Sequence, residues 1–126
     1  MSTPSALDGV KVLDFTRVLA GPYATMLLGD LGAEIIKVEP PQGDESRSWP
    51  PILANGQSGY FMALNRNKKS IRLNLKDQRG VDIARSLAAR ADMVVENFTP
   101  GVADKLGIGY ATLRENHPGL IYCSIS

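Results

Sequence analysis

An α/β fold built on a parallel sheet is predicted by three features at the start of the sequence. Val10, Val12, Leu13 and Phe15 form a short run of β-formers, and Ile35, Ile36 and Val38 form a second. Between them Ala24, Leu27, Leu28 and Leu31 fall at i, i+3, i+4 and i+7, the stripe of an amphipathic helix. Pro22 stands where a first-turn proline is tolerated, and Gly32 where a helix stop is expected. Strand, helix and strand in that order make a βαβ unit, whose strands run parallel because the helix carries the chain back. Ligands of open parallel sheets lie beyond the carboxyl ends of the strands, a place occupied here by Thr16 to Gly21.

The next elements follow in order. Pro40 to Pro51 is too rich in proline and polar residues for a regular element and reads as a loop or strap, long enough to suggest a function. Gly59 to Ala63 allows a turn of helix. Ile71, Leu73 and Leu75 alternate with Arg72, Asn74 and Lys76, which predicts a strand over residues 70–75. Asp77 caps a helix whose apolar face is Val81, Ala84, Leu87, Ala88 and Ala91. Met93 to Val95 is the fourth strand, Val102 to Leu106 and Tyr110 to Glu115 are short helical turns, and Leu120 to Ile125 is the last strand. Five strands with helices between most of them give a Rossmann-like layout. The last strand is almost continuously apolar, which predicts cover on both faces; the chain ends there, mid-architecture, and reads as an incomplete large domain that would associate or partly unfold by itself.

A chain of 126 residues with 44% hydrophobic content fits one core. Fourteen basic and thirteen acidic residues nearly cancel, which argues against nucleic acid and against an anionic membrane surface. No apolar stretch approaches the roughly 20 residues of a membrane span, and Met1 to Ala6 lacks the pattern of a signal peptide. Cys123, the single cysteine, lies in an apolar run and reads as a buried, inert thiol of a reducing compartment. A soluble, cytoplasmic protein is expected.

Several chemistries are disfavoured. His117, the only histidine, lies in the turn Asn116-His117-Pro118-Gly119, so hydrolase triads have no base. One Cys and one His supply no zinc site, the acidic residues show no calcium-loop spacing, and no metal is expected. Neither GxGxxG nor GxxxxGK[ST] is present. Asp14, Glu39 and Glu96 end strands, but no acid or base partner is visible near them in the sequence, so no catalytic role is assigned to them.

The positive signal is the run Arg66, Lys68, Lys69, Arg72 and Lys76, which contains no acid and is interleaved by Asn65 and Asn67. A solvated basic edge is the plain reading of such a run, and a phosphate-binding loop the sharper one. The start of the first helix, after Thr16-Arg17-Val18-Leu19-Ala20-Gly21, offers unpaired N–H groups to an anion. Asn97 can donate and accept, Phe98 offers a ring face, and Lys105 follows one helical turn later.

Asp14 to Glu39, Asn65-Arg66-Asn67-Lys68-Lys69-Ser70 and Glu96-Asn97-Phe98-Thr99-Pro100-Gly101 together resemble the amino-terminal third of the family III CoA-transferases, the CaiB/BaiF family, from about Leu7 to the last residue. The resemblance implies a Rossmann-like large domain whose subunits form an interlocked homodimer, with acyl-CoA and a carboxylic acid acceptor as partners and coenzyme A as the substrate carried. It implies CoA contacts at Val18, Leu19 and Ala20, at Leu73 to Lys76, and at Asn97, Phe98 and Lys105, with Arg66, Lys68 and Lys69 near the phosphates and the adenosine end. Some members place a phosphate-binding arginine where this chain has Pro40, so the resemblance implies that this contact is either absent here or supplied by Arg17 or Arg47. In the family mechanism an aspartate becomes an aspartyl-CoA thioester; it lies downstream of the matched stretch, so no residue here is assigned its role and the piece by itself is expected to be inactive. The related acyl-CoA racemases share the scaffold, and a stand-alone, non-catalytic nucleotide-binding module is the remaining alternative.

Overall fold

A computed structural model describes residues 3–126 of the chain. Its strands are β1 (Lys11–Asp14), β2 (Glu34–Glu39), β3 (Lys68–Arg72), β4 (Met93–Glu96) and β5 (Ile121–Ser124). The helices are α1 (Ala20–Asp30), α2 (Gly59–Leu64), α3 (Gln78–Ala89), α4 (Val102–Lys105) and α5 (Tyr110–Leu113). The strands form one sheet in the order β3-β2-β1-β4-β5, every pair parallel. The chain therefore winds outward from β1 through β2 to β3, then crosses to the other side of β1 for β4 and β5. The reversal between β1 and β4 opens a crevice at their carboxyl ends.

The two faces of the sheet differ in chemistry. On one, Leu13, Phe15, Val38, Leu73 and Val94 pack against Ala84 and Ala88 of α3, with Ile108, Leu113 and Leu120 closing the core. Strand alternation sends the intervening residues to the other face. There Val12, Ala33, Ile35 and Val95 make only a small apolar cluster. The rest of that face is polar: Asp14, Lys37 and Glu39 are all about 1% exposed or less.

That polarity overturns the predicted orientation of α1. Only part of the expected stripe of Ala24, Leu27, Leu28 and Leu31 faces the sheet: Leu28 packs on the small apolar cluster, but Leu27 is 42% and Leu31 50% exposed, while Gly21, Pro22, Thr25 and Met26 are buried. A leucine stripe laid over Asp14 would set apolar side chains on a buried carboxylate. Thr25 instead presents a hydroxyl that donates to Asp14 Oδ2 at 2.5 Å.

Other boundaries also move. β3 begins at Lys68 rather than residue 70, because Lys68 and Lys69 pair in register with Ile35 and Ile36. It ends at Arg72 although the alternation continues, because Asn74 turns the chain, its Oδ1 accepting the Lys76 N–H. The strap contains a short 3-10 turn, Glu45–Ser48, capped by Asp44, which accepts the Ser46 N–H at 2.9 Å. The cap of α3 is Asp77, which accepts the Arg79 N–H as its sequence position suggests. β5 is not covered on both faces: it lies at the sheet edge with Ile121 60% exposed and Cys123 only half-buried. Among the described residues no helix is long and apolar enough to cross a membrane.

Candidate functional site

Where the strands end, β1 runs into Phe15-Thr16-Arg17-Val18 and β4 into Asn97-Phe98, and these two loops are tied to each other. Asn97 Oδ1 accepts the Arg17 N–H at 2.9 Å, and its Nδ2 donates to the Arg17 carbonyl at 2.8 Å. Both ends of the Asn97 amide are thus spent on one backbone residue. Val18 follows in the left-handed region at φ 71°, a costly conformation for a β-branched residue, of order 1–3 kcal/mol. The Asn97 staple and a long hydrogen bond from the Val18 N–H to Asp44 Oδ2, 3.4 Å, hold it.

Beyond the strand ends lies a cleft of about 360 Å³, within the usual range for small-molecule sites. Phe15, Val38, Leu73 and Phe98 give it apolar walls, and Arg17 and Lys76 stand at its margin. The Arg17 guanidinium is 5.5 Å from the centre of the Phe98 ring, a cation–π distance. A second, more open groove shares Arg17 and Gln42 with the cleft and adds Gly43, Arg47 and Arg72. Among the described residues Arg17, Arg72 and Lys76 have no carboxylate within ion-pair distance.

Beneath the loops a buried polar network fixes their position. Lys68 Nζ donates to Asp14 Oδ2 (3.2 Å), the Pro22 carbonyl (2.9 Å) and Asn65 Oδ1 (3.0 Å). Lys37 Nζ donates to Asp44 Oδ2 (2.8 Å) and to the Thr16 carbonyl (3.0 Å). Glu39 accepts from Arg47 Nε and Nη2 at 2.7 and 2.6 Å, from the Asp44 N–H at 2.8 Å, and from the Ser70 hydroxyl. Among the described residues no buried side-chain nitrogen or oxygen lacks a partner. The absence of an acid or base partner expected for Asp14, Glu39 and Glu96 is corrected for two of them: Asp14 has Lys68 and Glu39 has Arg47, whereas Glu96 accepts from the Phe98 N–H and the Ser124 hydroxyl. Lys68 and Ser124 are remote in sequence from the carboxylates they meet, and folding brings them in.

Burial lowers the Lys68 ammonium to about 8, with the charge of Asp14 opposing and that of Lys37 assisting. Burial raises the Glu39 carboxyl, but the hydrogen bonds from Arg47, the Asp44 N–H and Ser70 outweigh it and hold the group at about 2. Because this folded value lies below the ordinary one of 4.5, the associated stability is complete above about pH 4.5 and is lost as pH falls towards 2. The full linkage of about 3.4 kcal/mol is reduced to about 2 kcal/mol by solvent screening around the half-exposed Arg47. Denaturant midpoints measured between pH 6 and pH 3 should fall accordingly, and less steeply for Glu39→Gln; parallel profiles would contradict the role of the pair.

The structure divides the predicted basic run. Lys68 turns under α1, its side chain 1% exposed; Arg66 pairs with Asp30 at 2.6 Å near the far end of α1; Lys69 points to the opposite sheet face, 3.8 Å from Glu34. The single phosphate patch is corrected to this arrangement, since alternation along a strand separates neighbours that a loop would gather. Of the predicted contacts, Arg17, Leu73, Lys76 and Phe98 line one cleft. Val18, Leu19 and Ala20 form its border loop and the start of α1, where Leu19 supplies no side-chain cap. Asn97 holds that loop, and Lys105 lies exposed on α4 next to Leu106, which reaches the cleft. Lys37, Asp44 and Gln42 escaped the sequence reading; a lysine flanked by Ile36 and Val38 in a buried strand was the signal available for the first.

The geometry defines a doubly wound parallel α/β protein with a ligand-sized cleft at its topological switch point. The model of CoA-transferase family III matches residues 7–126, and the chain belongs to that family. It is 57% identical over 121 residues to the succinyl-CoA:glutarate CoA-transferase of Mus musculus, covering 95% of this chain and 28% of that protein. The succinyl-CoA:mesaconate CoA-transferase of Haloarcula marismortui is 52% identical over 124 residues, 95% of this chain and 31% of that one. A crystal structure of a CaiB/BaiF family protein from Brucella suis superposes with a TM-score of 0.93 at 45% identity, covering 98% of this chain and 34% of the other. The chain thus spans less than a third of the length of these curated relatives.

Proposed function

We propose that these residues are the amino-terminal, CoA-binding part of the Rossmann-like large domain of an acyl-CoA transferase. The observation that carries this reading is the cleft itself: apolar walls for a purine ring, unpaired cations at its margin, and an uncapped helix start beside it. The names of the relatives support transfer of CoA between carboxylic acids. The chemistry proceeds through an aspartyl-CoA thioester whose nucleophile lies outside these residues, in a cytoplasmic enzyme built as an interlocked homodimer. Within the chain, every strand-end carboxylate already serves a structural hydrogen-bond network, which leaves none free to attack a thioester.

Titrating the full polypeptide with CoA tests the binding role. Lys76→Ala should weaken binding about tenfold, equivalent to about 1.4 kcal/mol, whereas Lys69→Ala should leave it within about twofold. Equal effects at both positions would sink the assignment of the cleft. Incubation with an acyl-CoA and then hydroxylamine should give a modified aspartate outside residues 1–126; an adduct on Asp14 or Asp44 would overturn the proposal.

A further inference from the structure

Four consecutive polar groups of the switch-point backbone are each engaged by a side chain from another part of the fold. The Thr16 carbonyl accepts from Lys37 Nζ at 3.0 Å, and the Arg17 N–H donates to Asn97 Oδ1 at 2.9 Å. The Arg17 carbonyl accepts from Asn97 Nδ2 at 2.8 Å, and the Val18 N–H donates to Asp44 Oδ2 at 3.4 Å. The first two groups belong to the peptide plane before Arg17, the last two to the plane after it. A peptide unit is rigid, so fixing both planes fixes the backbone angles of Arg17 and the direction in which its side chain leaves. That side chain reaches the Phe98 ring, 5.5 Å from its centre, at the wall of the cleft.

Lys37 and Asp44 act as one unit in this arrangement. Asp44 Oδ2 accepts from Lys37 Nζ at 2.8 Å as well as from the Val18 N–H, so Lys37 orients the oxygen that holds one plane while its own ammonium holds the other. Its remaining direction meets the ring of Phe61 on α2, 5.7 Å from the centre. Lys37 is 1% exposed and stands beneath the loop, outside the walls of the cleft. An apolar residue there could serve the packing of β2 if Asp44 lost its charge too. It could not donate to the Thr16 carbonyl. Resting on the CoA reading above, we infer that Lys37, acting with Asp44, is a positioning residue for that ligand, which touches no ligand atom and sets the aim of Arg17 into the cleft.

Calorimetric titration of the full polypeptide with CoA tests this through a double-mutant cycle. Lys37→Met and Arg17→Ala should each weaken binding about tenfold. The variant carrying both should bind within about threefold of either one, because a misaimed Arg17 and a missing Arg17 lose the same contact. Independent effects would multiply to about a hundredfold and would overturn the inference, as would an affinity unchanged by Lys37→Met. Should Lys37→Met not fold, the cycle is run with Lys37→Met joined to Asp44→Asn, which orphans no charge and keeps an oxygen for the Ser46 N–H. The joined pair also separates positioning from charge balance. Its denaturant midpoint should rise back from that of Lys37→Met towards the unmodified value while CoA binding stays about tenfold weak. Affinity that recovers together with stability would overturn the inference. Each of these adverse results leaves the CoA reading intact, whereas failure of the unmodified protein to bind CoA would overturn both.

Discussion

Replacing Lys68 by alanine is expected to cost about 3–5 kcal/mol of folding stability, the range for breaking one partner out of a buried ion pair. Asp14 is fully buried, and among the described residues Lys68 supplies its only ion-pair partner. The variant keeps a carboxylate under α1 with two threonine hydroxyls and one backbone N–H for company. It also frees the Pro22 carbonyl, which accepts from the same ammonium. Lys69→Ala, one residue on and 74% exposed, should change stability by less than about 0.5 kcal/mol. Urea denaturation distinguishes the two positions, and the double variant Asp14→Ala with Lys68→Met should recover much of the loss because the orphaned charge is gone. Similar midpoints for the two single lysine variants would show that the buried pair does not hold the sheet to α1.

Gly21→Ala should destabilise by about 3 kcal/mol and weaken CoA binding at least about tenfold, although alanine is the better helix former by about 1 kcal/mol. The added Cβ would fall 2.3 Å from Thr16 Cβ and 2.4 Å from its Cγ2. Thr16 cannot retreat: its N–H and hydroxyl both donate to Asp14, and its carbonyl accepts from Lys37. The first turn of α1 must therefore move away from the switch-point loop, taking Arg17 and Val18 with it. The sign makes the experiment decisive, since propensity acting alone would stabilise the variant. Thermal denaturation and CoA titration of the same preparation check both effects, and a stabilised variant with unchanged binding would mean that α1 does not sit against Thr16 as described.

The expected strands and helices, the parallel sheet and the place of the ligand site rest on local information: apolar runs of period two, a helix stop at Gly32, a cap at Asp77, and a loop between strand and helix at Thr16 to Gly21. Such signals act within a few residues and survive whatever packs on them. The resemblance to CoA-transferases was legible for the same reason, because its three motifs are contiguous strings.

The interior of the site was not legible, since it depends on which residues meet. A lysine is expected in water, so Lys68 gave no sign that Asp14 would draw it under α1, and Lys37 gave only its apolar neighbours Ile36 and Val38 as a hint of burial beside Asp44. Once those charges occupy much of one sheet face, only Leu28 of the leucine stripe of α1 finds the small apolar cluster to pack on, and Thr25 and Gly21 turn inward beside the polar groups. The basic run breaks up because alternate residues of a strand face opposite sides. The sequence by itself determined the elements, their order and the loop that ligands would approach, all through short-range propensity and pattern. Tertiary structure alone decided which face of α1 is buried, which cations remain free for an anion and which are consumed in the core. Those outcomes follow from desolvation and charge pairing between residues up to 54 positions apart, and no local pattern encodes them.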